Sequence, residues 1–80
     1  MTIDPDGVKA PYRQLADILR ERIISGEIQP GRRIPSQTEL EQEFPLSRNT
    51  IKKALDVLKD EGLLVSAPGR GLFVAEQPDT

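Results

Sequence analysis

The chain has 80 residues, 36% of them apolar and 30% charged, so it has room for one small globular domain with one modest core. It contains no cysteine and no histidine, which excludes disulfides, Cys/His zinc sites, thiol nucleophiles and histidine-based acid–base catalysis. The formal net charge of −2 at pH 7 does not exclude a nucleic-acid partner, because a negative protein can still present a locally basic face.

The two ends of the chain are predicted to lie outside the folded part. Residues 1–10 are rich in Asp, Gly and Pro and predict a flexible leader, residues 11–75 predict one domain, and residues 76–80 predict a tail or the start of a linker. No apolar stretch is long enough for a secretory signal or a membrane span, so we expect a cytoplasmic protein without membrane contact. On so small a scaffold, without Cys or His, we expect no enzyme activity, no metal site and no cofactor.

The first helix is predicted from Pro11 to about Ser25. Proline suits the first turn because its missing N–H group would be unpaired there, and Gly26 favours the helix end. Apolar residues recur along one face at helical spacing. This face consists of Tyr12, Leu15, Ala16, Leu19 and Ile23, with Ile18 and Ile24 widening it. The face is expected to lie against the core, and we assign no chemistry to its tyrosine.

The segment after this helix predicts a turn and a very short strand. Pro30-Gly31 is a turn signal, and residues 32–34 can form a strand that Pro35 ends. Arg32 and Arg33 are expected in a solvated loop, with contact to a backbone phosphate as the alternative.

A short second helix is predicted from Gln37 to about Phe44. Ser36 and Glu39 have the spacing of a capping box, in which the serine hydroxyl and the glutamate carboxylate each accept a backbone N–H. Leu40 and Phe44 stand four residues apart and are expected to be buried.

The third helix is predicted between Ser47, as N-cap, and about Glu61. Pro45 prevents the second helix from running on into it, and Leu46 is expected to turn inward between the two. Gly62 suits the position after the helix end.

Two apolar runs, residues 63–66 and 72–75, follow the third helix and predict a β-hairpin. The connecting residues 67–71 form a basic, glycine-containing tip. Two helices joined by a tight turn and followed by a hairpin form a winged helix-turn-helix. The predicted class is therefore α+β, mainly α, with three helices and a small antiparallel β-hairpin wing.

The third helix separates polar from apolar residues when they are placed at about 100° per residue. The polar sector carries Arg48, Asn49, Lys52 and Lys53, and the apolar sector carries Ile51, Ala54, Leu55 and Leu58. One side can therefore pack on the other helices while the opposite side presents donors.

The polar sector has the residue types that read bases. Arg48 can make two hydrogen bonds to guanine O6 and N7, and Asn49 can do the same to adenine N6 and N7. In a helix-turn-helix, the N-terminal part of the second helix enters the major groove, and both residues lie in that part of the helix.

Four further residues suit contacts with phosphate. Ser47 and Thr50 place hydroxyl groups at the N-terminus of the helix, where free N–H groups favour an anion. Lys52 and Lys53 supply charge without a strict geometric demand. Taken alone, the same cluster is equally compatible with a plain solvated helix face.

The tip of the hairpin has two interpretations as well. Gly69 lets the backbone approach a phosphate, and Arg70 can enter a narrow minor groove. The alternative is an ordinary tight turn in which the glycines supply positive φ and the arginine is exposed by default. The position of the hairpin directly after a helix-turn-helix favours the first interpretation.

Over residues 12–75 the sequence resembles the DNA-binding domain of the gluconate-repressor (GntR) family of bacterial transcription regulators. The resemblance is carried by "YRQLADILRERIISGEIQPGRRIPS", "SRNTIKKALDVLKDEGLL" and "GRGLFV", in the order and spacing of the family. It implies a transcription regulator, such as a repressor, that binds double-stranded operator DNA as a homodimer on an inverted repeat. It also implies a separate C-terminal domain that binds an effector and strengthens dimerisation.

Carried over by position, the resemblance implies that Arg48 reads a base and that Gly69 meets the minor groove. Residue chemistry and resemblance together make ten positions candidate DNA contacts: Ser36, Thr38, Ser47, Arg48, Asn49, Thr50, Lys52, Lys53, Gly69 and Arg70. The sequence departs from the family at Thr38, where an arginine is common, and at Pro45, where a glycine is common. Lysines at 52 and 53 replace common arginines and weaken bidentate contacts there.

Two other functions are open to this sequence. A winged helix can serve as a protein-interaction module, and the acidic clusters of residues 39–43 and 60–61 would then face a basic partner. A small hydrolase would need paired carboxylates in a cleft, whereas these acids are expected to be solvated. Because no effector domain follows Ala75, we expect an excised DNA-binding domain rather than a minimal regulator, with no effector pocket in this chain.

Overall fold

A computed structural model of the protein describes residue 3 and residues 7–75. Residues 1, 2 and 4–6 of the predicted leader and the whole predicted tail, residues 76–80, lie outside the described residues. The described chain forms three helices and a two-stranded antiparallel sheet, which confirms the predicted winged helix-turn-helix. Its elements are α1 (Pro11–Ile24), α2 (Gln37–Glu43), α3 (Arg48–Asp60), β1 (Leu64–Ala67) and β2 (Gly71–Val74). Across these residues no helix is both long and apolar enough to span a bilayer.

Helix α1 has the predicted bounds, with Pro11 in its first turn and Ser25 as its C-cap. The predicted apolar face is wrong at one position, because the Ile24 side chain is 74% exposed. Ile24 stands nine residues after the fully buried Leu15, so the helical repeat places it on the opposite side of the helix.

Helix α2 begins with the predicted capping box. The Ser36 hydroxyl accepts a hydrogen bond from the Glu39 N–H over 3.2 Å, and the Glu39 carboxylate accepts one from the Ser36 N–H over 3.1 Å. The second of these bonds holds the pKa of the Glu39 carboxyl below its ordinary value. Leu40 and Phe44 are both buried, as predicted, and the extended backbone of Phe44 ends the helix.

The core lies between α3 and the elements around it, with α1 as the main partner of α3. Its buried side chains are Leu15, Ala16, Ile18, Leu19, Ile23, Ile34, Leu40, Phe44, Ile51, Ala54, Leu55, Leu58, Leu64 and Val74. The four apolar residues predicted on one side of α3 are all among them. The amphipathic division of that helix is therefore confirmed, and Leu46 packs against the core as expected.

The hairpin pairs Leu64 with Val74 at its base and Ala67 with Gly71 at its tip. Each strand is shifted by one residue toward the tip relative to the prediction. The shift arises because the turn is tighter than expected: the Arg70 N–H donates to the Ala67 carbonyl over 2.9 Å. Pairing therefore continues as far as the residues that flank this turn.

The predicted short strand at residues 32–34 is reduced to a single bridge between Arg33 and Phe73. Hydrogen bonds on either side of the bridge join Ile34 N–H to the Leu72 carbonyl and Val74 N–H to the Arg32 carbonyl, over 3.1 and 2.8 Å. Pro35 has no N–H group with which to extend the pairing. Strand β2 thus lies between β1 and the loop that connects α1 with α2, and this fastens the wing to the helices.

Arg20 joins α1 to the end of α3. Its Nε and Nη2 atoms donate to the two carboxylate oxygens of Glu61 over 2.8 and 2.6 Å, and its Nη1 atom donates to Asp17 over 2.6 Å. The hydrogen bond from Arg20 lowers the pKa of the Glu61 carboxyl. The pKa of Asp17 is lowered first by a hydrogen bond from Lys9 and then by the bond from Arg20.

Arg22 joins α1 to the end of α2. It donates to both carboxylate oxygens of Glu43, and its guanidinium lies over the Phe44 ring with 5.8 Å between Cζ and the ring centroid. The hydrogen bond from Arg22 lowers the pKa of the Glu43 carboxyl. Arg20 and Arg22 of α1 thus hold the ends of both other helices.

These lowered pKa values predict a loss of stability in acid. A carboxyl whose pKa is lower in the folded state stabilises the fold above its unfolded pKa, and this contribution disappears as the pH falls through the folded pKa. Because Glu43 and Glu61 are 41% and 39% exposed, the double variant Glu43→Gln, Glu61→Gln should lose only about 0.5–2 kcal/mol at neutral pH. Urea unfolding at a series of pH values should show the difference between the two proteins shrinking as the pH falls below about 4.3, the ordinary pKa of a glutamate carboxyl. A difference that persisted or grew in acid would contradict this account.

Candidate nucleic-acid interface

The candidate interface is centred on the N-terminal half of α3, on the side turned away from the core. Arg48, Asn49, Lys52 and Lys53 are all exposed there. Asp56 and Asp60 are exposed farther along the same helix, where Lys59 is the one base beside them, so the N-terminal half of α3 carries bases without acids. Among the described residues no group of three or more carboxylates is arranged to hold a metal ion.

Ser47 and Thr50 form the start of α3. The Ser47 hydroxyl accepts a hydrogen bond from the Thr50 N–H over 3.3 Å, and the two hydroxyl oxygens are 2.9 Å apart. Ser47 is therefore the N-cap, as predicted, and satisfies one of the N–H groups that the first turn of a helix leaves without an intrahelical partner. Both hydroxyls lie at the N-terminus of α3, where the helix dipole favours a negative group.

Arg48 has a partner that the sequence analysis did not identify. Its Nε atom donates to the Glu41 carboxylate of α2 over 3.3 Å, while 68% of the arginine side chain stays exposed. The residues are seven apart in the chain and lie on different helices. No periodicity within either helix indicates this pair, because the angle between the two helices brings the side chains together.

Tyr12 and Arg13 at the start of α1 adjoin the same face. The Lys53 Nζ atom lies 6.0 Å from the centroid of the Tyr12 ring, and the Arg13 Cζ atom lies 5.6 Å from it. The Arg13 Nε atom also donates to the Tyr12 hydroxyl over 3.2 Å. The sequence pattern predicts only packing for Tyr12 and gives no role to Arg13. Their position at the very start of α1, directly after a helix-initiating proline, is the one signal that could have indicated an exposed role.

The tip of the wing forms a second group. Gly69 has a φ of 74° and follows Pro68, the pattern of a type II turn, so a side chain at this position would be strained. Arg70 and Ser36 line a common cleft of about 240 Å³ between the wing, the start of α2 and Leu55 of α3. The fold thus brings two predicted contact residues from distant parts of the sequence to one cleft.

Arg33 lines the same cleft, although its place in the sequence favours a solvated loop. Its Nη2 atom lies 3.8 Å from the Glu39 carboxylate, and its Cδ atom lies 3.7 Å from the position that a Cβ at Gly71 would occupy. The bridge to Phe73 fixes Arg33 beside the wing. Thr38, the remaining predicted contact residue, is exposed on α2.

The chain matches a family model. Residues 11–74 match the model described as bacterial regulatory proteins of the gntR family. The chain is 42% identical over 71 residues to the mannosyl-D-glycerate transport/metabolism system repressor MngR of Escherichia coli, and 48% identical over 73 residues to the histidine utilization repressor of Klebsiella aerogenes. These matches cover 89% and 90% of this chain but 30% of each repressor, so the chain spans about a third of the length of these curated relatives.

Solved structures have the same fold. YtrA from Sulfolobus acidocaldarius, a GntR-family transcription factor, superposes with a TM-score of 0.87 at 32% identity, covering 100% of this chain and 68% of that protein. The DNA-binding domain of AraR, solved in complex with operator ORE1, superposes with a TM-score of 0.77 at 44% identity, covering 80% of this chain and 78% of that domain.

The cap of α3 generates a stability prediction. Ser47→Ala removes the acceptor of the Thr50 N–H and should lower the free energy of unfolding by about 1 kcal/mol. Ser47→Asp keeps an acceptor at the N-cap and should leave stability near that of the parent. Urea unfolding of the three proteins is the measurement. Equal stability of the alanine variant and the parent would show that the cap contributes nothing.

Proposed function

The chain belongs to the GntR family of bacterial regulatory proteins, and from this premise we propose that it is the sequence-specific DNA-binding domain of a transcriptional repressor. The observation that carries the proposal is the outward sector of α3, where Arg48, Asn49, Lys52 and Lys53 are exposed beside a wholly buried apolar stripe. A structural neighbour at 44% identity is a DNA-binding domain in complex with its operator, which supports the same use of this face.

In the proposed complex, the N-terminal half of α3 lies in the major groove. Arg48 and Asn49 contact base edges, because their side chains carry the donors and acceptors that match guanine and adenine. Ser47, Thr50 and Lys52 contact phosphates, which position the protein without reading sequence.

Other parts of the molecule flank this helix. Arg13 of α1, which lies at the same Tyr12 ring as Lys53 of α3, adds positive charge beside the α3 sector. The wing lies at the minor groove, where Gly69 lets the backbone approach and Arg70 is attracted by the negative potential of a narrow groove.

Ser36, the N-cap of α2, and Thr38 within α2 complete the proposed contacts. Ser36 stands at the cleft that it shares with the wing, and Thr38 is exposed on the same short helix. Neither side chain is charged, so α2 contributes hydrogen bonds but no cation of its own from these two positions.

We also propose that the domain, residues 11–75, binds an inverted repeat as a homodimer, with residues 1–10 as a leader and residues 76–80 as the start of a linker. Helix-turn-helix dimers bind half-sites about one helical turn of DNA apart, which makes the spacing of the repeat measurable. The proposal places the protein in the bacterial cytoplasm, where it acts by binding and not as an enzyme. Effector binding belongs in this proposal to a further domain of the regulator.

The structure weakens the alternative of a protein-interaction module with an acidic surface. Four of the acids on which that alternative depends are engaged within the chain. Glu39 completes a helix cap, Glu41 pairs with Arg48, Glu43 pairs with Arg22 and Glu61 pairs with Arg20. Their charge is largely compensated before a basic partner arrives.

Two binding measurements test the function. A salt titration with mixed-sequence duplex DNA should show affinity falling steeply as salt rises, because each neutralised phosphate releases counterions. Selection from a random duplex pool should enrich an inverted repeat. An absence of binding at low salt would exclude DNA as the partner and restore the protein-interaction alternative.

Residue substitutions separate base reading from phosphate contact. Arg48→Ala should cost about 1–3 kcal/mol on the selected sequence and relax preference at one base pair. Lys52→Ala should weaken binding to all sequences alike and reduce the slope of log K against log salt by about 1. Lys59→Ala is the matched control, because this exposed lysine lies in the last turn of the same helix. The assignment of the groove face is wrong if the Arg48 and Lys52 variants behave like the control.

A further inference from the structure

The pair between Arg48 and Glu41 bears on how the proposed interface selects its sequence. Glu41 belongs to α2 and its side chain is 28% exposed, whereas the Arg48 side chain is 68% exposed. Glu41 follows Leu40, which is completely buried, so the backbone that carries the acid is held by the core. The acid is thus the anchored partner, and the guanidinium extends from it toward solvent.

The pair leaves the arginine able to read a base. A guanidinium has five N–H donors in one plane, and only the Nε–H is directed at Glu41. The Nη1 and Nη2 groups keep four donors, and two suffice for guanine O6 and N7. Because the guanidinium is planar, holding Nε restricts the orientation of the whole fork.

An unrestrained arginine at this position would have other options. It is long and flexible, and it could reach a phosphate or a neighbouring base as readily as a particular guanine. The contact with Glu41 removes much of this freedom before DNA binds. Such preorganisation favours the one geometry for which the side chain is already set.

The carboxylate also has an unfavourable effect on DNA binding in general. It places a negative charge beside a surface that meets phosphates, and it compensates the charge of Arg48. This repulsion is the same for every sequence, whereas the orienting effect acts at one base pair. A pair of this kind lowers the affinity for DNA in general and raises the discrimination between DNA sequences.

We propose that Glu41 is a positioning residue that orients Arg48 for one base pair while its charge lowers affinity for DNA of every sequence. This inference rests on the proposed function, because it requires that Arg48 reads DNA. It assigns a role in specificity to an acid on α2, the helix that lacks a cationic contact of its own at Thr38.

The test compares selections from one random duplex pool by the parent and five variants: Arg48→Ala, Glu41→Ala, Glu41→Gln, Glu43→Gln and the double variant Arg48→Ala, Glu41→Ala. In the Arg48→Ala selection, the position that loses its base preference is the base pair that this arginine reads. Glu41→Ala removes the anchor and the charge, whereas Glu41→Gln removes the charge but keeps an acceptor for Nε. Glu43→Gln removes the same charge from the same helix at a residue that pairs with Arg22 instead. Circular dichroism confirms that each variant is folded.

We expect Glu41→Ala to lower preference at the base pair read by Arg48 by about threefold or more, with little change at other positions. Glu41→Gln should retain part of that preference. Both should bind mixed-sequence DNA about twofold more tightly or better at low salt, because a negative charge is gone. Glu43→Gln should leave preference at this base pair unchanged. In an Arg48→Ala background, Glu41→Ala should have no further effect at that position.

The outcomes separate this inference from the function on which it rests. A parent protein that binds no duplex and enriches no sequence overturns the proposed function itself. A parent with a clear preference that Glu41→Ala leaves intact at the Arg48 base pair overturns only the positioning role. A Glu41→Ala variant that gains affinity for all sequences equally also overturns it, because the acid would then act through its charge alone.

Discussion

The burial of one side of α3 is the constraint on which the rest of the structure depends. Ile51, Ala54 and Leu58 are completely buried, chiefly against α1, and this sets the rotation of α3 about its own axis. Once that rotation is set, the helical repeat leaves Arg48 and Lys52 no position except the outer side. The polar sector is therefore a consequence of core packing as much as of the polar residues themselves. A helix without so definite an apolar stripe would present the same side chains in several orientations.

The two helix starts in this region each rely on a serine. Ser36 caps α2 and Ser47 caps α3, and each stands at the surface proposed to meet DNA. A serine hydroxyl that accepts a backbone N–H still has a proton to donate, and of the Ser47 and Thr50 hydroxyls, which bond each other, one keeps its proton for another partner, so the structural and the proposed binding role are compatible. This double role has an experimental consequence, because removing either hydroxyl changes the helix as well as the surface. Loss of binding in such a variant is informative only beside a measurement of stability.

The pairing of charges explains how an acidic chain can present a basic face. On the side of α1, Arg20 and Arg22 hold Glu61 and Glu43 in ion pairs that tie the three helices together. These contacts neutralise Glu61 and Glu43 away from the outward side of α3, whose bases face solvent. Because the acids lie behind or beyond the polar sector, the net charge of −2 describes the whole chain and not this surface. Glu41 is the exception, since its carboxylate stands within the proposed interface.

The sequence by itself determined the class of the fold, the bounds of the helices and the outward side of α3. Caps, breakers and helical periodicity act over a few residues, so a local pattern such as the Ser36 capping box is sufficient to predict them. The sequence predicted strands that are one residue away from their observed ends, because the number of residues in the connecting turn depends on the backbone geometry of that turn. Only the tertiary structure decided that Arg48 meets Glu41, that Lys53 and Arg13 gather at one tyrosine ring, and that β2 pairs with the loop before α2. Each of these contacts joins different elements, and the angles between elements are set by the packing of the whole core, which no local pattern contains.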